Sequence, residues 1–147
     1  MIFKSATDLV IKITFGFIIL LLFMVALFSI SISNIFSIVL AFILNVIAII
    51  ILVWIYFKTE YKVEDDILYC ISGPIKRKIS IREIVKISYH SGVIVPVALK
   101  LSLSGNGLII TYGKFNEIYI SPENVDLFLQ QLKKINPNFI ITSPKNA

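Results

Sequence analysis

The pattern of apolar and polar positions splits the chain in two. From Ile13 to Phe57 there is no charged residue, a run of 45 positions. An amphipathic helix of a soluble protein keeps one polar face for water, and this run has none. A bilayer span takes about 20 apolar residues, so two spans and a turn account for the length. The pattern predicts helices over about 13–31 and 35–57, with Ser29-Ile-Ser-Ile-Ser-Asn34 as the turn. The second span ends Trp54-Ile-Tyr56-Phe57-Lys58. Aromatic rings belong at the headgroup level, so Trp54 and Tyr56 are predicted interface anchors, and a following lysine snorkels to the phosphates. A cleaved signal peptide is disfavoured by the long apolar stretch and the lack of an Ala-x-Ala site. One long tilted helix is disfavoured by the serine-rich break. Asn45 sits mid-span. Its amide either bonds Thr14 or backbone within the hairpin or joins helices of a homo-oligomer, with Ser37 and Gly16 permitting close approach.

Beyond Phe57 the period becomes two, the signature of half-buried strands. Strands are predicted at Tyr61–Val63, Ile67–Ile71, Lys76–Ile81, Ile84–Tyr89, Val97–Leu103, Leu108–Tyr112 and Glu117–Ile120. Glu64-Asp65-Asp66 and Ser72-Gly73-Pro74 read as turns, and Ser91 to Pro96 as a looser segment. Ser104-Gly-Asn-Gly107 reads as a tight hairpin joining the fifth and sixth strands, because Asn-Gly supplies positive φ angles. The period then lengthens. Val125, Phe128, Leu129 and Leu132 form a stripe at spacings of three and four. Ser121 as N-cap and Pro122 at the first position predict a helix over 122–135, stopped by Asn136-Pro137. Residues 139–147 read as a tail, frayed from Thr142 onward.

Charge then sets orientation and narrows the chemistry. Lys4 and Lys12 precede the first span, Lys58 and Lys62 follow the second, and the turn carries no basic residue. Basic flanks stay inside, so both termini and the soluble domain are expected in the cytoplasm, below a cell membrane crossed twice. Residues 58–147 hold 12 Lys and Arg against 8 Asp and Glu, a net of +4. That suits an anionic leaflet and is too dispersed for a nucleic-acid footprint. One cysteine, Cys70, and one histidine, His90, leave no disulfide and no zinc ligand set. Cys70 falls in an apolar strand and reads as core. His90 lacks a nucleophile motif around it. The Glu64-Asp65-Asp66 cluster is explained by its turn. Gly105-x-Gly107 lacks the strand–helix context of a phosphate loop. No catalytic, cofactor or metal residues are assigned, and the protein is expected not to be an enzyme. The candidate contacts to anionic headgroups or a protein partner are Lys58, Lys62 and the run Lys76-Arg77-Lys78.

Seven antiparallel strands followed by a helix is the pleckstrin-homology (PH) order. The chain also resembles the bacterial YyaB-like PH domains, the group that includes the sublancin immunity protein of bacilli. The resemblance runs through Tyr61-Lys-Val, Ile67-Leu, Lys78-Ile-Ser-Ile-Arg-Glu-Ile84, Tyr112-Gly-Lys-Phe-Asn-Glu-Ile-Tyr-Ile-Ser-Pro122 and Phe128-Leu-Gln-Gln-Leu132 with Asn136-Pro137. It departs at Val95-Pro-Val-Ala-Leu99 and at Ser-Gly-Asn-Gly, where members of the group carry Ser-Pro-Ala-Leu-Ser and an Asp-Arg pair. The expected fold class is α+β: a transmembrane helical hairpin (1–58), then a PH-like barrel or sandwich (59–138, strands in 60–120) with a C-terminal capping helix. The resemblance implies a non-enzymatic, membrane-anchored protein of bacteriocin-immunity type. A membrane-tethered scaffold or regulatory module binding a protein partner or anionic lipid headgroups is the alternative.

Overall fold

The computed structural model describes residues 1–32, 34–92 and 94–142. Ser33 of the serine-rich turn and residues 143–147 of the expected frayed tail lie outside these. Helix α1 (Leu9–Ile32) and helix α2 (Ile35–Phe57) lie side by side, with the Phe15 and Tyr56 rings 5.7 Å apart. Asn34 caps α2, its side chain accepting from Ser37 N at 2.9 Å. Both helices are long and apolar enough to cross a membrane, and the apolar windows that qualify them contain no buried residue. Most of their Ile, Leu, Val and Phe side chains instead point outward. A water-soluble surface does not present so large an apolar area.

Inside the pair, Asn45 Nδ2 donates to Ala41 O of its own helix at 2.9 Å, and Asn45 Oδ1 has no partner among the described residues. Thr14 bonds Val10 O instead. A Cβ on Gly16 would meet open space, so this glycine creates no close approach within the pair.

The remaining residues form two four-stranded sheets. The first has the order β1–β2–β3–β4 and is antiparallel throughout: β1 (Ile2–Lys4), β2 (Thr59–Glu64), β3 (Ile67–Ser72) and β4 (Ile75–Ser80). A short 3-10 turn, Ile81–Glu83, leads to the second. Its order is β7–β6–β5–β8, with β5 (Ile84–Ser91), β6 (Asn106–Tyr112) and β7 (Asn116–Ile120) antiparallel and β8 (Ile140–Thr142) parallel to β5. Inward residues of both sheets share one core, including Tyr61, Leu68, Ile79, Ile87, Leu108, Ile110 and Ile118. Helix α3 (Val125–Ile135) lays Phe128, Leu129 and Leu132 on it. The result is a PH-like sandwich with a capping helix, preceded by the two apolar helices.

Four features depart from the sequence reading. The first is β1, which sequence assigns to the membrane segment. Ile2, Phe3 and Lys4 pair with Lys62, Tyr61 and Glu60, and the Phe3 ring meets Phe128 edge-on at 5.2 Å. The second is Val97–Leu103. It forms no strand and no hairpin with β6, because β5 and β7 already occupy both edges of β6. Instead it runs beside β7 through a parallel bridge of Lys100 to Tyr119, with Leu101 N donating to Tyr119 O at 3.0 Å. Asn106 and Gly107 lie within β6 rather than in a turn.

The third departure is the start of α3. Asn124 is its N-cap, accepting from Leu127 N at 3.1 Å, while Ser121 is buried and bonded to Ser5. A side-chain oxygen already committed to the core cannot cap a helix. The fourth is β8, which extends the domain past the expected boundary at 138, with Phe139 buried. Asn136, read only as a stop signal, has a further role. Its Nδ2 donates to Ile81 O at 2.9 Å and Ile84 O at 3.1 Å, fastening the end of α3 to the turn between the sheets.

Candidate membrane-facing site

Helix α2 enters the domain with a single residue, Lys58, between it and β2. The junction is stiff. Thr59 Oγ1 donates to Ile55 O at 2.6 Å and bonds Ser72 Oγ at 3.0 Å, and Gly73 N donates to Lys58 O at 3.0 Å. Gly73 adopts φ +54°, and a Cβ there would stand 2.7 Å from Ile55 Cγ1. Only glycine meets both demands, so the β3–β4 turn rests directly on the last turn of α2.

Helix α1 is tied just as closely. Asp8 Oδ2 accepts from Ser104 Oγ and from Gly105 N, both at 2.7 Å. Asp8 O also accepts Lys12 N, the first bond of the helix. The Ser-Gly that reads as hairpin chemistry is therefore the dock for α1. Strand β1 precedes α1, strand β2 follows α2, and the two strands are neighbours. Both helices thus leave and rejoin the domain at one end.

The five basic candidates divide between positions. Lys58 caps α2, its N–H bonded to Trp54 O. Register places Lys62 opposite Tyr69 and Tyr69 opposite Lys78, so the two lysines flank one tyrosine on the outer face. Lys78 Nζ lies 5.4 Å from the centre of that ring. Lys62 is engaged with Glu64 at 2.8 Å, a contact that raises the lysine's pKa and lowers the glutamate's. Lys76 sits two residues nearer the helix junction on the same face, and Arg77 alternates to the opposite one. Lys76, Arg77 and Lys78 are all exposed, and β4 is the free edge of its sheet. Trp54 and Tyr56 occupy the last turn of α2.

Other candidate chemistry is used structurally. Cys70 is fully buried, and burial pushes its thiol up to about 12. His90 Nε2 meets Ile94 O at 3.0 Å, and its ring stands edge-on to Tyr119. The acidic turn is tied to the 3-10 turn, with Asp66 bridging Arg82 at 2.7 Å and Asp66 O accepting Ile81 N at 2.8 Å. The densest polar cluster lies in the core and escapes a sequence reading. Tyr61 Oη donates to Leu101 O at 2.7 Å and accepts from Ser121 N at 3.0 Å, beside Ser5 Oγ at 3.3 Å. It joins β1, β2, the strap at 101 and the approach to α3. Its partners are dispersed over the whole chain, so no local motif marks it.

Comparison with known families matches residues 59–136 to a bacterial PH domain. Neither the comparison with curated proteins nor that with solved structures returned a match. The matched segment spans β2 through α3 and stops at Asn136, the residue that locks the capping helix to the sheets. With that stretch covering more than half of the chain, and two helices of membrane-spanning length ahead of it, the chain belongs to the bacterial PH domain family.

Proposed function

We propose that this protein is a membrane-tethered binding module, non-enzymatic, whose PH-like domain is held against the inner leaflet and engages anionic headgroups through β4. The observation that carries this is the stiff junction. One residue of linker, with Gly73 seated on Ile55, gives the domain a fixed height and face above the bilayer. The basic flanks at Lys4, Lys12, Lys58 and Lys62 favour a cytoplasmic side for that face. Strand rise of about 3.3 Å per residue puts Lys76 one step beyond the junction and Lys78 about 7 Å further out, within a Debye length of the lipid surface.

Hydrogen exchange tests this on the full chain in nanodiscs, because residues 2–4 complete the sheet. Replacing neutral lipid with anionic lipid is expected to slow exchange of the β4 amides. High salt, or the combined change Lys76→Ala, Arg77→Ala and Lys78→Ala, is expected to abolish the difference. Equal β4 exchange on both lipids would exclude headgroup contact and leave a protein partner for this edge.

The immunity-type reading rests on the Ile-Ser-Pro122, Phe128-Leu-Gln-Gln-Leu132 and Asn136-Pro137 resemblance. It predicts that deleting the gene sensitises cells to at least one membrane-active peptide by about tenfold in inhibitory concentration, a loss of protection worth ~1.4 kcal/mol of binding. Unchanged sensitivity across a broad panel would remove it.

A further inference from the structure

Two concavities meet where the helices enter the domain. One, of about 310 Å³, lies between α1 and α2 and is lined by Phe15, Ile19, Val53, Tyr56 and Phe57, with Lys12 its charged member. The other, of about 210 Å³, is polar and lies against the domain, lined by Lys4, Thr59, Glu60 and Glu123 among others. Tyr56 and Phe57 line both, so the two adjoin at this pair of rings. An apolar groove in the hydrocarbon beside a polar cleft at the surface has the polarity profile of one amphiphile.

The charges narrow the class. Two ion pairs form on the domain, Lys62 with Glu64 and Arg82 with Asp66. Lys4, Lys12, Glu60 and Glu123 form no ion pair among the described residues, although Lys4 and Glu60 face each other in the β1–β2 register. Two cations and two carboxylates without an ion-pair partner therefore line the two adjoining concavities. A ligand of single charge would satisfy half of them. A phosphate joined by a short linker to a primary ammonium satisfies both signs, and the ammonium N–H groups give the carboxylates charge-assisted hydrogen bonds that a quaternary amine cannot.

We infer that this junction is a phospholipid site selective for a primary-amine headgroup, of the phosphatidylethanolamine type. Lys12 and Lys4 take the phosphate, Glu60 and Glu123 take the ammonium, and an acyl chain lies along Phe15, Ile19 and Val53. The inference rests on the reading of α1 and α2 as membrane spans and adds a ligand to it. The site is distinct from the basic edge at β4.

Native mass spectrometry of the full chain, released from detergent with equimolar phosphatidylethanolamine, phosphatidylcholine and phosphatidylglycerol, reads the selectivity directly. Retention of the ethanolamine lipid is expected to exceed that of the glycerol lipid about fivefold, with the choline lipid between them. Glu60→Gln with Glu123→Gln should abolish the preference while retaining total lipid, and Lys12→Ala should lower retention of all three. Equal retention by the wild type, or a preference that survives the double glutamine change, overturns the site and leaves the spans intact. Release of the chain from membranes by alkaline carbonate would overturn the spans themselves and the site with them.

Discussion

Phe3→Ala is expected to cost the domain about 3–5 kcal/mol, the range for truncating a buried phenylalanine. Phe3 is buried, its ring lies edge-on to Phe128, and it pairs with Tyr61 across β1 and β2. A domain of this size holds roughly 5–13 kcal/mol in total, so the change removes about a quarter of it or more. Melting of the full chain in nanodiscs should fall by more than about 12 °C, at 4–8 °C per kcal/mol. Phe3→Leu keeps most of the volume and should cost no more than about 1.5 kcal/mol. Secondary effects should appear at the polar cluster, because Ser5 follows Phe3 by two residues and bonds Ser121 and Leu103 N. A melting point for Phe3→Ala within about 2 °C of the wild type, well inside the effect of 1 kcal/mol, would show that β1 is not part of the cooperative unit.

That strand also shows what a sequence pattern can and cannot carry. The helices were legible because 45 uncharged residues admit few other arrangements. Strands β2 to β7 were legible where apolar residues alternate over five or more positions. Three residues at Ile2–Lys4 are too few for a period to register. The strap at 97–103 separates two things that alternation confounds. Leu101 and Leu103 are buried as the pattern says, but burial of alternate side chains does not specify a hydrogen-bonding neighbour. The neighbour is set by which edges remain free, and β6 had none. Ser104-Gly105 shows the same limit, since the group that fixes it, the Asp8 carboxylate, stands 97 residues away from Gly105. The basic candidates were legible as types, but their grouping was not. Only the register shows that Lys62 and Lys78 share Tyr69 and that Arg77 faces away from them.

Raising the pH from about 8 to about 11 is expected to destabilise the domain by about 5 kcal/mol, through three buried groups whose protons the fold protects. Burial raises the Tyr61 and Tyr119 hydroxyls from 10.0 to about 12, and the Cys70 thiol from 9.0 to about 12. In each case the unfolded chain loses its proton first. Stability is therefore constant below the unfolded values and falls as pH rises through them. It levels off only above the folded values. Each group contributes about 1.4 kcal/mol per pH unit in its window, which gives one unit for each tyrosine and two for the cysteine by pH 11.

The tyrosines also make the prediction separable. Tyr61→Phe strands Leu101 O and Ser121 N, so it should cost about 1–3 kcal/mol already at pH 8. The Tyr119 hydroxyl is buried without a partner among the described residues, so Tyr119→Phe should cost nothing at pH 8. It should then gain about 1.4 kcal/mol on the wild type at pH 11, because one of the three titrations is gone. Denaturant midpoints of the two variants against pH decide the matter. A flat wild-type profile, or a Tyr119→Phe profile parallel to it, would show that these groups reach solvent. Curves that diverge only above about pH 10 would locate the alkaline weakness in the layer beneath Gly107, where a Cβ would stand 3.0 Å from the Tyr119 hydroxyl.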